Sequence, residues 1–165
     1  MSRWSGRPSE ERALLNPGFC SCVLWQAAAG HKSVSLEPLP FDLSFLVLPI
    51  VLHRATRDAL PATVRTSLAV WIDDNPLAQS RIADRSRMLV QFTKEAMTFG
   101  GLHGLLEFQA GAIIANPAWK KPIAADLKNS TDEVRTCMKR AEFVGKWLAS
   151  SGSTSTVMAI LGVRP

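Results

Sequence analysis

The residues of this chain that could do chemistry fall into three groups: an adjacent pair of carboxylates, a few thiols and imidazoles, and clustered cations. Paired carboxylates such as Asp73-Asp74 can hold a metal or move a proton. Here Asn75-Pro76 follows at once. That string reads as a turn opening a helix, where acids also suit the positive N-terminal end. Cys20 and Cys22 lie in an apolar stretch, and Cys137 is far away in sequence. Structural zinc wants four ligands at recognisable spacing, which His31 and Cys137 could complete only by coincidence of folding. The thiols therefore read as buried, reduced core residues, and no metal is expected. His31, His53 and His103 are widely separated, and His53 after an apolar run reads as a hydrogen-bonded boundary residue. Gly100-Gly101 with Gly104 is no phosphate loop, because no Lys-Ser/Thr follows. Ser150 to Ser155 contains no Gly-x-Ser-x-Gly, and tyrosine is absent. These residues imply no catalytic site, no cofactor and no enzyme.

The cations are the remaining chemistry. Nineteen Lys and Arg against fourteen Asp and Glu give a net charge of +5. That charge permits an anionic partner without demanding one. Arg81, Arg85, Arg87 and Lys94 fall on one expected helix, where they could neutralise phosphates and make binding salt-dependent. The following segment, Gly104 to Ala115, has no Lys or Arg and carries Glu107, which argues against a strand pair lying on phosphates. Five tryptophans are many for this length. Trp4 and Trp119 fall in expected loops, where aromatics serve as satellite core or as protein-contact anchors. Arg81, Arg85, Arg87, Lys94, Trp4 and Trp119 are thus the candidate partner or DNA contacts.

The whole chain must position these groups. At 165 residues it is one domain, 1–165, long enough to bury a core. Apolar residues make up 47% and charged residues 20%. Such a balance excludes disorder, a collagen-like chain and a disulfide scaffold. Met1 to Arg12 lacks the apolar run of a secretory signal. The most apolar stretch, Leu43 to Leu52, is ten residues with Pro49 inside. A membrane span needs about twenty. The expectation is a cytoplasmic protein without membrane attachment.

Periodicity predicts a mostly α fold. Residues 1–15 read as an exposed leader. Asn16-Pro17 caps a first helix that should stop at Gly30. Asp42 caps Leu43 to Leu48, Pro49 to Leu60 continues helically, and Thr63 caps Val64 to Ile72. A long helix from Pro76 to Phe99 carries the stripe Ile82, Leu89, Phe92, Ala96 and Phe99. Two short apolar runs around Gln109-Ala110-Gly111 form a β-hairpin. A loop through Pro117, Trp119 and Pro122 follows. Ser130 and Glu133 read as a capping box for a helix to Ala149. Thr154 to Leu161 is a last short helix. Residues 130–165 are then C-terminal helices. The order helix, helix, long helix, hairpin over 62–116 is that of a winged-helix-like unit, so the fold class is a mostly α, winged-helix-like helical domain with one small β-hairpin.

Several strings resemble a known family. They include residues 7–19, Arg-Pro-Ser-Glu-Glu-Arg-Ala-Leu-Leu-Asn-Pro-Gly-Phe, then Pro40-Phe41-Asp42-Leu43-Ser44, Leu46-Val47-Leu48-Pro49 and Leu52-His53-Arg54. Leu60-Pro61, Arg65-Thr66-Ser67-Leu68, Trp71-Ile72, the run Arg140 to Trp147 and Leu161-Gly162-Val163-Arg164-Pro165 look similar too. The chain thereby resembles the middle component of ABC-three-component systems, the class that includes Lamassu defence operons. The resemblance implies a small subunit, similar to the winged-helix accessory subunits of SMC complexes. It implies a scaffold that binds an SMC-like ABC ATPase dimer and holds an effector, often a nuclease, inactive. DNA would be sensed through the assembled complex. No catalytic residue is carried over. The contrasting readings are a stand-alone, repressor-like winged-helix DNA-binding protein and a hydrolase built on Asp73 and Asp74.

Overall fold

The computed structural model describes Gly6 and residues 15–164. Trp4, most of the expected leader and Pro165 lie outside the described residues. The chain is mostly α, with a small antiparallel sheet.

The first helix, α1, spans Pro17–Ser35. Asn16 Oδ1 caps it, accepting from Gly18 N at 2.8 Å and Phe19 N at 3.3 Å. Such a side chain satisfies free donors of the first turn, while Pro17 fills a position whose N–H would be free anyway. The expected stop at Gly30 does not occur. Gly30 is buried mid-helix against another backbone: a Cβ there would run into Glu142 O and stand 3.2 Å from Glu142 C. The glycine serves close approach instead of termination. The helix runs on to Ser35, and Leu36 closes it with a left-handed φ of 64°. The Leu36 N–H still donates to Lys32 O, and the left-handed turn then takes the chain out of the helix.

A strand and a helix follow from one local device. Strand β1, Leu39–Pro40, leads directly into α2, Phe41–Val51. Asp42 sits in the first turn but makes no cap. The N–H of Phe41 donates to Gly111 O at 2.8 Å instead. The tip of a distant hairpin thus satisfies one of the free donors at the helix start. Helix α2 buries Leu43, Leu46, Val47, Leu48, Ile50 and Val51. Each is worth about 1.5–3 kcal/mol in the transfer sense. Pro49 stays inside its last turn, and the helix ends after Val51.

The stretch expected to be continuous helix breaks at His53. Helix α3 is five residues, Arg54–Asp58, capped by His53 Nδ1, which accepts from Thr56 N at 3.3 Å. Residues 59–67 are not helical, so Thr63 caps nothing. Two tryptophan N–H groups take the carbonyls there: Trp71 Nε1 donates to Ala59 O and Trp147 Nε1 to Thr66 O, both at 2.7 Å. The two indoles meet edge-to-face at 5.3 Å. That arrangement sets the positive edge of one ring against the negative face of the other. Helix α4, Leu68–Asp74, then starts from a Ser67 cap, with Val70 N 3.3 Å from Ser67 Oγ.

Helix α5, Pro76–Leu102, is the longest described. Gly100 and Gly101 lie inside it. A Cβ at Gly100 would be 2.7 Å from Leu106 Cδ1, so that glycine seats the next strand. His103 closes the helix, its ring stacked on Phe99 at 4.0 Å. Strands β2, Leu106–Gln109, and β3, Ala112–Ala115, form the expected hairpin. Its two-residue turn puts Ala110 at φ 50° and Gly111 at φ 74°. This is the primed geometry that matches strand twist. The sheet order is β1-β3-β2, with Leu39 opposite Ile113. The third strand comes from outside 62–116 and has too little sequence to be legible.

The expected loop through Pro117 and Pro122 is helical. A 3-10 turn, Pro117–Trp119, precedes α6, Lys120–Lys128. Both prolines occupy first turns, where a missing N–H costs little. Helix α7, Asp132–Ala149, is capped by Thr131, not Ser130: Thr131 Oγ1 accepts from Val134 N at 3.3 Å. Ser130 Oγ instead donates to Leu127 O at 2.8 Å, closing α6. Helix α8, Thr154–Ile160, starts from a Ser153 cap and stops before Gly162 at φ 66°.

The core is organised around α1, which packs most extensively on α7 and next on α5. A Cβ at Gly145 would run into Ala27 O, so the α1 and α7 backbones touch at Gly30 and Gly145. Ser21 Oγ is 2.5 Å from Ala96 O, linking α1 to α5.

Candidate partner and nucleic-acid interface

Helix α5 sorts its cations onto different faces. At about 100° per residue, Arg81 and Arg85 lie one turn apart on one side. Arg87 and Lys94 project roughly 120–180° away. Arg87 is committed to Asp84 at 2.7 Å, an exposed i,i+3 pair. The four side chains therefore make no single basic stripe. Arg81 is exposed and Arg85 half-buried. Neither forms an ion pair among the described residues. The Arg85 Nε is buried without a hydrogen-bond partner, and burial lowers the pKa of the group.

His53 lies within the field of these two guanidinium groups. Burial first, then Arg85 and Arg81, hold its imidazole below the ordinary histidine pKa. His31 is also held low by burial, against a weaker opposing hydrogen bond to Glu37 O at 3.1 Å. Both rings bind a proton less readily folded than unfolded. The unfolded chain therefore takes up protons first, and stability is lost as pH falls from the ordinary value of ~6.5 toward the lowered folded pKa. Urea titrations between pH 7 and 5 should show this decline, and His53→Asn should lessen its slope while His31 keeps the remainder. A slope unchanged by His53→Asn contradicts the assignment.

The hairpin end carries apolar groups and few charges. Phe41, Leu102 and Phe108 are exposed there, Leu102 at 81%. With Lys94, Thr98 and Gly101 they border a groove of about 540 Å³. Met88, 72% exposed, and Leu77 lie on the Arg81 side of α5, so both faces of this helix mix cations with apolar groups.

The tryptophans have structural roles that composition did not reveal. Trp25, Trp71 and Trp147 are buried, and each N–H pins a non-helical carbonyl; Trp25 Nε1 donates to Asn116 O at 2.9 Å. Trp119 is half-buried against the core. None of the described tryptophans is fully exposed.

Sequence reasoning missed Arg57. Its side chain is 2% exposed, with Nη1 donating to Val51 O at 3.0 Å and Nη2 to Glu133 Oε1 at 2.6 Å. Nη1 also lies 3.1 Å from Cys137 Sγ, and Nε is buried without a partner. The only signal was an arginine shortly before Leu60-Pro61, and Arg54 and Asp58 beside it made the stretch look like a solvated one. Asp73 and Asp74 are exposed at the end of α4. The three thiols are free, and burial pushes Cys20 up to about 12. A thiol held that far from its thiolate is an inert core group. No group of three metal-ligating side chains occurs among the described residues, and no described helix is long and apolar enough to cross a membrane.

The geometry is that of a surface with exposed apolar and cationic groups set on a tightly packed helical body. No curated protein and no solved structure matches the chain. One family model does, over residues 4–165, nearly the full sequence. The chain belongs to the family described as ABC-three component (ABC-3C) system Middle Component 3.

Proposed function

We propose that this chain is a non-catalytic adaptor that links an SMC-like ABC ATPase dimer to an effector, of nuclease type, and helps keep the effector inactive until foreign DNA is sensed. The observation that carries the reading is family membership across residues 4–165, as the middle component of a three-part system. The exposed Phe41, Leu102 and Phe108, which border one groove, support it, because large apolar groups gathered on a protein surface mark contact regions. DNA is reached indirectly, through the complex, in the cytoplasm. Co-expression with the other two components of its system tests the reading. The chain should co-purify with both in fixed stoichiometry. A solitary monomer that ignores both neighbours, or turnover by the isolated chain, would overturn it.

A second reading is a stand-alone, winged-helix DNA-binding protein. The strand order β1-β3-β2 favours it, with β1 between the first two helices and a long helix feeding the hairpin. Arg81 and Arg85, outside any ion pair among the described residues, favour it too. Against it stand Glu107 and the lack of cations on the hairpin, and Arg87 being held by Asp84. The isolated chain should then bind duplex DNA with steep salt dependence, and Arg81→Glu with Arg85→Glu should abolish binding. No retention on DNA at low salt removes this reading.

A further inference from the structure

Helix α6 covers the body with little of its surface: of its nine residues only Ile123 is buried, and Leu127 packs half-buried against the core. Between α6 and the α1–α7 pair run two adjoining grooves, of about 600 and 350 Å³. They share Gln26, Ala124, Leu127 and Glu142, so they form one trough along the helix. The floor is apolar, with Ala29, Ala124, Leu127 and Met138.

The rim is basic. Lys32 and Lys120 border one end, and Lys128, Arg135 and Lys139 the other. None of the four lysines forms an ion pair among the described residues. Arg135 is bound to Asp132. The one carboxylate in the wall, Glu142, is neutralised by Lys146 Nζ at 2.6 Å, with Gln26 Nε2 at 3.4 Å. The trough therefore offers apolar seats between cations. Phosphates would want donors where this floor has methyl groups. A helix with leucine-like residues on one face and carboxylates flanking them satisfies both floor and rim.

We propose that the trough along α6 docks an acidic amphipathic helix of a protein partner. At 1.5 Å per residue, the nine residues of α6 run about 13 Å, enough for roughly two to three turns of a partner helix. The proposal deepens the adaptor reading and rests on it for the existence of a protein partner.

The probe is a synthetic peptide of about 16 residues, long enough for some helix in water, with Leu at i, i+3, i+4 and i+7 spacings and Glu between. Fluorescence anisotropy with the full chain reads its binding. Lys120→Glu with Lys139→Glu should weaken it by about tenfold or more. Ala124→Trp, which fills the exposed trough without changing charge, should weaken it comparably. A composition-matched peptide with the leucines scattered should not bind. Circular dichroism melts of the variants should match the parent, since all three positions are exposed. The proposal is overturned if the patterned peptide does not bind, if either variant leaves binding unchanged, or if a 20-base-pair duplex displaces the peptide from the trough. Failure here with intact co-purification of the three components removes the trough and leaves the adaptor. Peptide binding with no co-purification does the reverse.

Discussion

Replacing Gly145 with alanine is expected to unfold the chain or to cost it more than about 3 kcal/mol, above the usual range for an overpacked site. The new Cβ would run into Ala27 O and stand 2.8 Å from Ala27 C, with His31 N at 2.9 Å. These neighbours are backbone of a helix, so none can swing aside as a side chain could. The α1–α7 pair must part, and every side chain between them loses contact. Gly30→Ala meets Glu142 O and should act in the same direction. A chain of this size loses roughly 2–4 °C of Tm per kcal/mol, so a drop of about 6–12 °C or more is expected by circular dichroism. A Gly145→Ala melt within about 2 °C of the parent means that the two helices do not touch there.

Arg57→Ala is the second large effect, expected at about 2–4 kcal/mol. Removing this guanidinium leaves a void between α3 and α7 and strips Val51 O of its donor. The Glu133 side chain is 61% exposed and can return to water. The full penalty of a broken buried ion pair therefore does not apply. Glu133→Gln leaves the buried guanidinium without its counter-ion, so it should also cost about 2–3 kcal/mol although the bond to Val51 O and a neutral acceptor remain. Chemical denaturation of both variants reads the two losses. A Glu133→Gln loss below about 0.5 kcal/mol means that the carboxylate does not compensate the buried charge.

The helices with strong local signals were legible. Asn16-Pro17, the α5 stripe, the end of α7 at Ala149 and the hairpin around Ala110-Gly111 follow from capping, periodicity and turn chemistry. Glycine misled at Gly30, Gly100 and Gly101. A glycine that lets two backbones meet carries the same letter as one that ends a helix, and only the distant Glu142 distinguishes them at Gly30. Prolines misled over 117–122, because a proline in a first turn looks like one in a loop. Strand β1 is two residues and exists only because β3 is beside it. At the candidate interface, the sequence identified the cations of α5 but not their division between faces. It could not reveal that Arg87 is already paired, that three tryptophans pin loops, or that an arginine lies in the core. The trough along α6 was invisible because α6 itself was read as a loop.

The tight seam between α1 and α7 joins the start of the described chain to its last third. During synthesis the apolar side of α1 leaves the ribosome long before its cover exists. About 100 residues must still be added, which takes roughly 5–20 s at ~5–20 residues per second. Through that interval Val23, Leu24 and Ala27 have at most α2, α5 and the small sheet to shelter them as these emerge, so the nascent chain depends on early collapse, a chaperone or a neighbouring subunit to stay out of aggregates.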